Sequence, residues 1–190
     1  MRLFVAADLP EDLRRRLAAI QHELRDLPLP VRWVPPEGIH LTFKFLGVVQ
    51  GDRVSEIGRA LEGGGRGVPA FRLEASGIGT FPERGNPRVL WVGVAGDLAA
   101  ALRLQEQIDR CLAAIGLPVE DRPFRPHLTL GRVRGRAKGE WRPALETAAR
   151  QATGILDVQD YVLFESRHDR SGAVYLPLQR YRLAAGAGAA

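Results

Sequence analysis

The chain is short of the residues that staple or metallate small proteins: of its 190 residues only Cys111 is a cysteine. A single thiol excludes an intramolecular disulfide and a multi-cysteine zinc site. Cys111 sits in the amphipathic run Leu102 to Leu112. A structural thiol is the expected role there, because a reactive one needs an electropositive, accessible setting. Long apolar runs are missing too, so no membrane span is expected. The opening Met1-Arg2-Leu3-Phe4-Val5-Ala6-Ala7-Asp8 turns acidic too soon for a signal peptide, which makes the cytoplasm the expected location. Neither G-x-x-x-x-G-K-[ST] nor G-x-G-x-x-G occurs, which argues against nucleoside triphosphate chemistry. Lysine is scarce: 25 of the 27 basic residues are arginine.

What is present is a basic chain, +5 at neutral pH, with an ordinary 45% hydrophobic content that can bury a sizeable core. A positive balance suits an anionic partner such as nucleic acid, and the planar guanidinium suits bidentate phosphate contacts. The arginine skew is equally compatible with a GC-rich coding sequence. Short β-branched and aromatic runs alternate irregularly with helical patterns. Leu13, Leu17, Ile20 and Leu24 mark a helix from Pro10 to about Asp26. Asp97 is placed to cap another helix that runs to about Ile115. The segment from Gly77 to Pro87 reads as a loop, and the one from Ile155 to Phe164 as a single strand. This rhythm is not that of a doubly wound sheet. It predicts an α+β fold of antiparallel sheet with outer helices, one domain over residues 1–183, and a disordered small-residue tail over 184–190.

The informative feature is a repeated tetrapeptide. His40-Leu41-Thr42-Phe43 and His127-Leu128-Thr129-Leu130 share the form His, apolar, Thr, apolar, and stand close to half a chain apart. In a strand, residues two apart point the same way, so each histidine shares a face with its threonine while the apolar pair enters the core. The repeat suggests two pseudo-symmetric lobes. If these lobes face each other, two histidines and two threonines converge on a central cleft. Such a set can open a cyclic phosphodiester: one imidazole takes a proton from water, the other protonates the departing ribose oxygen, and the hydroxyls donate to phosphate oxygens. The residues themselves do not say which histidine is acid and which is base. A lone strand histidine is more often structural, but two copies of His-x-Thr have no evident packing purpose. A catalytic zinc site wants a third ligand, and none sits at ligand spacing, so neither metal nor cofactor is expected. His22, on the first helix, and His168, in an expected turn, are poor candidates.

Around these motifs the chain resembles the two-histidine (2H) phosphoesterase superfamily, and within it the RNA 2′,3′-cyclic phosphodiesterases, formerly called 2′-5′ RNA ligases. The resemblance runs through Arg2 to Ala6, Val31 to Val34, His40 to Gly47, Phe81-Pro82, Val89 to Gly93, Phe124 to Arg132 and Gly172 to Tyr175, nearly the whole chain. It implies a bilobal fold with a central cleft, His40 as proton donor, His127 as proton acceptor, and Thr42 and Thr129 as phosphate ligands. It implies RNA ends bearing 2′,3′-cyclic phosphate as substrate and a 2′-phosphate as product. The alternatives are the reverse reaction, 2′-5′ joining, and a non-catalytic module that binds RNA ends. An arginine at position 132 also fits the family. Strict alternation turns it toward the core unless a bulge intervenes, whereas Lys44 and Arg125 share parity with their histidines. At least one of Lys44, Arg125 and Arg132 is expected on phosphate. Phe124 and Trp33 are candidates for base stacking, and the Arg134-to-Lys138 run is either an RNA track or a solvated loop. A self-contained chain of this kind is expected to act as a monomer.

Overall fold

Strand β1 (Arg2–Ala7) alternates Leu3, Val5 and Ala7 toward one face of a sheet with Phe4 and Ala6 toward the other, and both sets are buried. The computed structural model describes residues 1–27, 29–137, 141–150, 152–168 and 173–186. The helical pattern at the N-terminus becomes α1 (Glu11–Glu23), which buries Leu13, Leu17, Ile20 and Gln21. Next come β2 (Val31–Trp33), β3 (Leu41–Val48), α2 (Val54–Leu61), β4 (Phe71–Phe81) and β5 (Val89–Gly96). Helix α3 (Leu98–Ala113) is capped as its sequence predicts, the Asp97 carboxylate accepting from the Ala100 N–H at 2.9 Å. Then follow β6 (His127–Val133), α4 (Arg142–Ala149), β7 (Thr153–Val158), β8 (Asp160–His168) and β9 (Ala173–Arg182).

The nine strands described form one antiparallel sheet in the order β7-β4-β5-β6-β3-β1-β8-β9, with β2 paired to β6. The α+β expectation therefore holds, and the two lobes are halves of one sheet: β3, β1, β8, β9 on one side and β6, β5, β4, β7 on the other. The halves meet in the paired residues Leu41↔Leu128, both fully buried. The helices cross over. Gln21 of α1 reaches β6, and Leu13 lies under Gly154 of β7, whereas Asp109 of α3 reaches Lys44 of β3. Helices α1 and α3 thus each reach into the other half, while α4 packs on β4 of its own half.

Two expectations are corrected. The segment after Gly77 is not a loop: β4 continues to Phe81, because Gly77 adopts φ +70 at a register shift between Ser76 and Ile78 and the strand passes through it as a bulge. The strand expected from Ile155 to Phe164 is two. β7 pairs with β4 and β8 pairs with β1, with Gln159 alone between them. Neighbouring Cα atoms are about 3.8 Å apart, so strands this far separated in the order can be joined by one residue only if the sheet curls strongly. The end of the chain seals that curl. Ala184, expected in a loose tail, bridges Pro69 and its carbonyl accepts from the Ala70 N–H at 2.8 Å. Residues 187–190 of the expected tail lie outside those described.

Candidate active site

Both motifs sit at the junction of the halves. His40 immediately precedes β3 and His127 begins β6. The antiparallel register through Leu41↔Leu128 sets His40 across from Thr129 and Thr42 across from His127. A cleft of about 580 Å³ opens on this face, lined by His40, Thr42, Thr129, Arg132, Arg32 and Phe45 among others.

Each motif ends in a bulge. In β3, Ala6 pairs with Thr42 and Val5 with Lys44, so Phe43 is the extra residue. Phe43 and Lys44 are consequently both buried, and Phe45 returns to the cleft face. In β6, Trp91 pairs with Thr129 and Leu90 with Gly131, so Leu130 is extra and Arg132 returns to the cleft in the same manner. Gly131 is needed here, because a Cβ would collide with Val31 on the adjoining β2. Buried polar groups hold both bulges. Gln21 donates to the carbonyls of Val34 (2.7 Å) and Leu130 (2.8 Å). Lys44 is ion-paired with Asp109 and donates to the Pro118 carbonyl at 2.7 Å.

The three candidate cations are thereby separated. Lys44, placed in the cleft by strict alternation, is instead buried under the sheet because the bulge at Phe43 reverses its parity. Arg125 is engaged by Glu83 at 3.0 Å. Arg132 lines the cleft. Phe124 is also displaced from the stacking role: it packs on Phe43, ring centroids 6.0 Å apart, and lines a separate groove beside α3. Trp33 lines the cleft while also packing on the core. His22 is exposed on α1, and His168 ends β8.

The histidines occupy different surroundings. His40 is boxed by Phe4, Phe164 and Tyr175, with ring centroids 5.3, 5.1 and 4.8 Å away. Burial lowers its pKa from 6.5 to about 4; Asp8 opposes this and Arg14 adds to it. His127 stands edge-on to Phe81 at 5.1 Å, near Trp91. Its Nδ1 donates to the Arg125 carbonyl at 2.6 Å, which leaves Nε2 with a free lone pair. Burial lowers its pKa as well, the Arg125 carbonyl opposing and the Arg132 charge reinforcing the effect. Arg132 is therefore close enough to be felt by His127. Among the described residues no group of three or more His, Cys, Asp or Glu is placed to hold a metal ion.

Parity alone misses Phe45, Gln21 and Asp109. The adjacent buried pair Phe43-Lys44 can be read as a bulge only with the partner strand known.

One cleft of an α+β protein thus gathers His40, Thr42, Thr129 and Arg132, with His127 opening β6 across from Thr42. The chain belongs to the LigT-like phosphoesterase family, whose model matches it twice, over residues 7–91 and 92–175, one motif in each match. Curated RNA 2′,3′-cyclic phosphodiesterases from Aeropyrum pernix and Archaeoglobus fulgidus are similar to it. The first is 32% identical over 89% of this chain and 96% of its own. The second is 33% identical over 94% and 98%. Among solved structures, a Thermus thermophilus protein superposes with a TM-score of 0.74 at 28% identity, covering 97% of this chain and 99% of that one. Escherichia coli LigT complexed with 3′-AMP superposes with a TM-score of 0.73 at 26% identity, covering 96% and 97%.

Proposed function

We propose that this phosphoesterase is an RNA 2′,3′-cyclic phosphodiesterase, hydrolysing a terminal cyclic phosphate to a 2′-phosphate by two-histidine acid–base catalysis without a metal. His127 takes a proton from water at Nε2, and the water oxygen attacks phosphorus. The P–O3′ bond breaks as His40 gives its proton to O3′. Thr42 and Thr129 donate to the non-bridging oxygens and Arg132 neutralises the charge that builds there. The Arg125 carbonyl fixes the tautomer that the base role requires. His40, neutral in the empty cleft, acquires its proton when the phosphate anion arrives beside it, since an opposite charge within a few ångströms favours the charged imidazole.

The observation that carries this reading is the Leu41↔Leu128 register, which sets each histidine across from the other motif's threonine. The naming of the relatives supports the substrate. A monomeric cytoplasmic enzyme fits a site built from one chain, and no helix of the described residues is long and apolar enough to cross a membrane. The test is turnover of a 2′,3′-cyclic-phosphate-ended oligonucleotide in EDTA by wild type, His40→Ala and His127→Ala. The expected result is EDTA-resistant conversion to a 2′-phosphate, reduced by several orders of magnitude in either variant. Turnover indifferent to both histidines overturns the mechanism. Tight binding without turnover by wild type replaces it with an RNA-end-binding role.

A further inference from the structure

β6 does not stop being basic where the cleft ends. Arg132 faces Arg32 directly across the β2–β6 pair. Arg134, two residues further along an extended backbone, lies about 7 Å beyond Arg132 on the same face. The pairing that aims it continues past the strand, the Arg134 N–H donating to the Pro30 carbonyl at 2.8 Å. Arg136 follows in a turn that is held in place. The Asn86 side chain donates to the Gly135 carbonyl at 2.9 Å and accepts from the Ala137 N–H at 2.7 Å. Arg32, Arg132, Arg134 and Arg136 are all exposed. Lys138, the last residue of the basic run, lies outside those described.

Salt bridges engage Arg14 and Arg180 with Asp8, Arg53 with Glu56, Arg72 with Asp157, Arg122 with Glu120, Arg125 with Glu83 and Arg167 with Glu165. Other exposed arginines, Arg15, Arg66 and Arg103 among them, have no carboxylate partner among the described residues and do not adjoin the cleft. Among the described residues none of the four along β6 and β2 has a carboxylate partner. A solvated charge run needs neither a two-point side-chain clamp on its turn nor continuity with a phosphate cleft, and this row has both. An uncompensated, backbone-fixed row of arginines at phosphate-like intervals is complementary to a single-stranded polyanion.

We propose that Arg32, Arg134 and Arg136 form a rail for the RNA strand 5′ of the reacting nucleotide, so that the enzyme acts preferentially on cyclic-phosphate-ended oligonucleotides over cyclic mononucleotides. The inference rests on the phosphodiesterase reading, because a 2′,3′-cyclic phosphate closes the 3′ end and leaves the rest of the strand on the 5′ side. Two arms test it. In the first, kcat/KM is measured on a 2′,3′-cyclic mononucleotide and on a tetranucleotide ending in the same group, for wild type and for Arg134→Gln/Arg136→Gln. Neither replaced residue lines the cleft, and both are exposed. The expected result is a preference of wild type for the tetranucleotide on the order of tenfold or more. The double variant loses it, with mononucleotide turnover unchanged. The salt slope of log(kcat/KM) on the tetranucleotide falls by about 1.4 in the variant, two phosphate contacts at about 0.7 each. Equal turnover of the two substrates by wild type, or equal losses on both in the variant, overturns the rail. In the second arm, a fluorescent tetranucleotide with an unreactive 3′-hydroxyl is titrated by anisotropy. Weaker, less salt-sensitive binding by the variant supports the rail even if no substrate turns over, an outcome that defeats the phosphodiesterase reading alone. Identical binding by both proteins defeats the rail alone.

Discussion

Phe45 and Arg132 stand in the same place in the two halves of the sheet, each the fifth residue after its histidine and each returned to the cleft by a bulge. The repeat is symmetric in backbone and divided in chemistry: one half presents an aromatic ring, the other a charge. Phe45 is 65% exposed, unusual for a phenylalanine that has a cleft to line. Arg132→Gln is expected to lower kcat/KM about 100-fold, the usual scale for losing one donor to developing charge. Phe45→Ala is expected to raise KM roughly tenfold with kcat little changed, the loss of one stacked base. Steady-state kinetics on one oligonucleotide separates them; a kcat effect at Phe45 equal to that at Arg132 contradicts the division.

Gln21 touches neither histidine, yet it holds the Leu130 carbonyl at the bulge that aims Arg132. Gln21→Leu removes the side-chain donor to the Val34 carbonyl and one of two donors to the Leu130 carbonyl, which keeps the Val34 N–H at 2.9 Å, and is expected to cost about 1–3 kcal/mol in urea denaturation. It should also depress kcat/KM in the folded variant, because the bulge is then held by the Val34 N–H alone. If the variant loses stability but keeps full activity under native conditions, the bulge does not need the glutamine.

The Lys44–Asp109 pair makes an opposite prediction for single and double replacement. Removing either partner strands a buried charge and is expected to destabilise by about 3–5 kcal/mol, while Lys44→Met/Asp109→Leu restores much of the loss. Thermal or chemical melts of the three variants read the coupling directly. Additive losses would show that the two residues act separately.

Acid should weaken the fold through the histidines. The folded protein holds His40 at about 4 while the unfolded chain keeps the ordinary 6.5, so below 6.5 protons bind the unfolded state first. Stability contributed by the neutral ring is full above 6.5 and declines by up to roughly 3 kcal/mol as pH falls toward 4. His127, lowered for the same reason, acts in the same direction. Urea midpoints between pH 7.5 and pH 4.5 should therefore fall with pH, and less steeply in His40→Asn. A midpoint that rises toward acid contradicts the buried, neutral ring.

Catalysis should carry the same signature. On the proposed mechanism the pairing of a neutral base with a charged His40 is scarce in free enzyme at neutral pH, and a bound phosphate anion would make it common. The alkaline limb of kcat is expected to lie about one to three pH units above that of kcat/KM. Coincident limbs would place the alkaline group outside the cleft.

Much of this is legible in the chain before its fold. Alternation assigns His40 and Thr42, and His127 and Thr129, to shared faces, and the repeat announces the two halves. Cap and periodicity signals locate α1 and α3. What alternation cannot supply is the parity after each motif, because a bulge is a property of two strands and appears in one sequence only as a pair of adjacent buried residues. It misplaces Lys44 and passes over Phe45 for that reason. The break at Gln159 is invisible too: nothing local distinguishes one strand of ten residues from two strands that join different ends of a curled sheet.

The crossing of α1 and α3 bears on how the two halves hold each other. Helix α1 reaches β6 and β7 of one half, and α3 reaches β3 of the other. Strands β8 and β9 come last in the chain, yet they complete the half that β1 begins. Parting the halves would therefore strip covering helix from both at once. The seam that carries the two fifth positions is for that reason the part of the sheet least able to open alone.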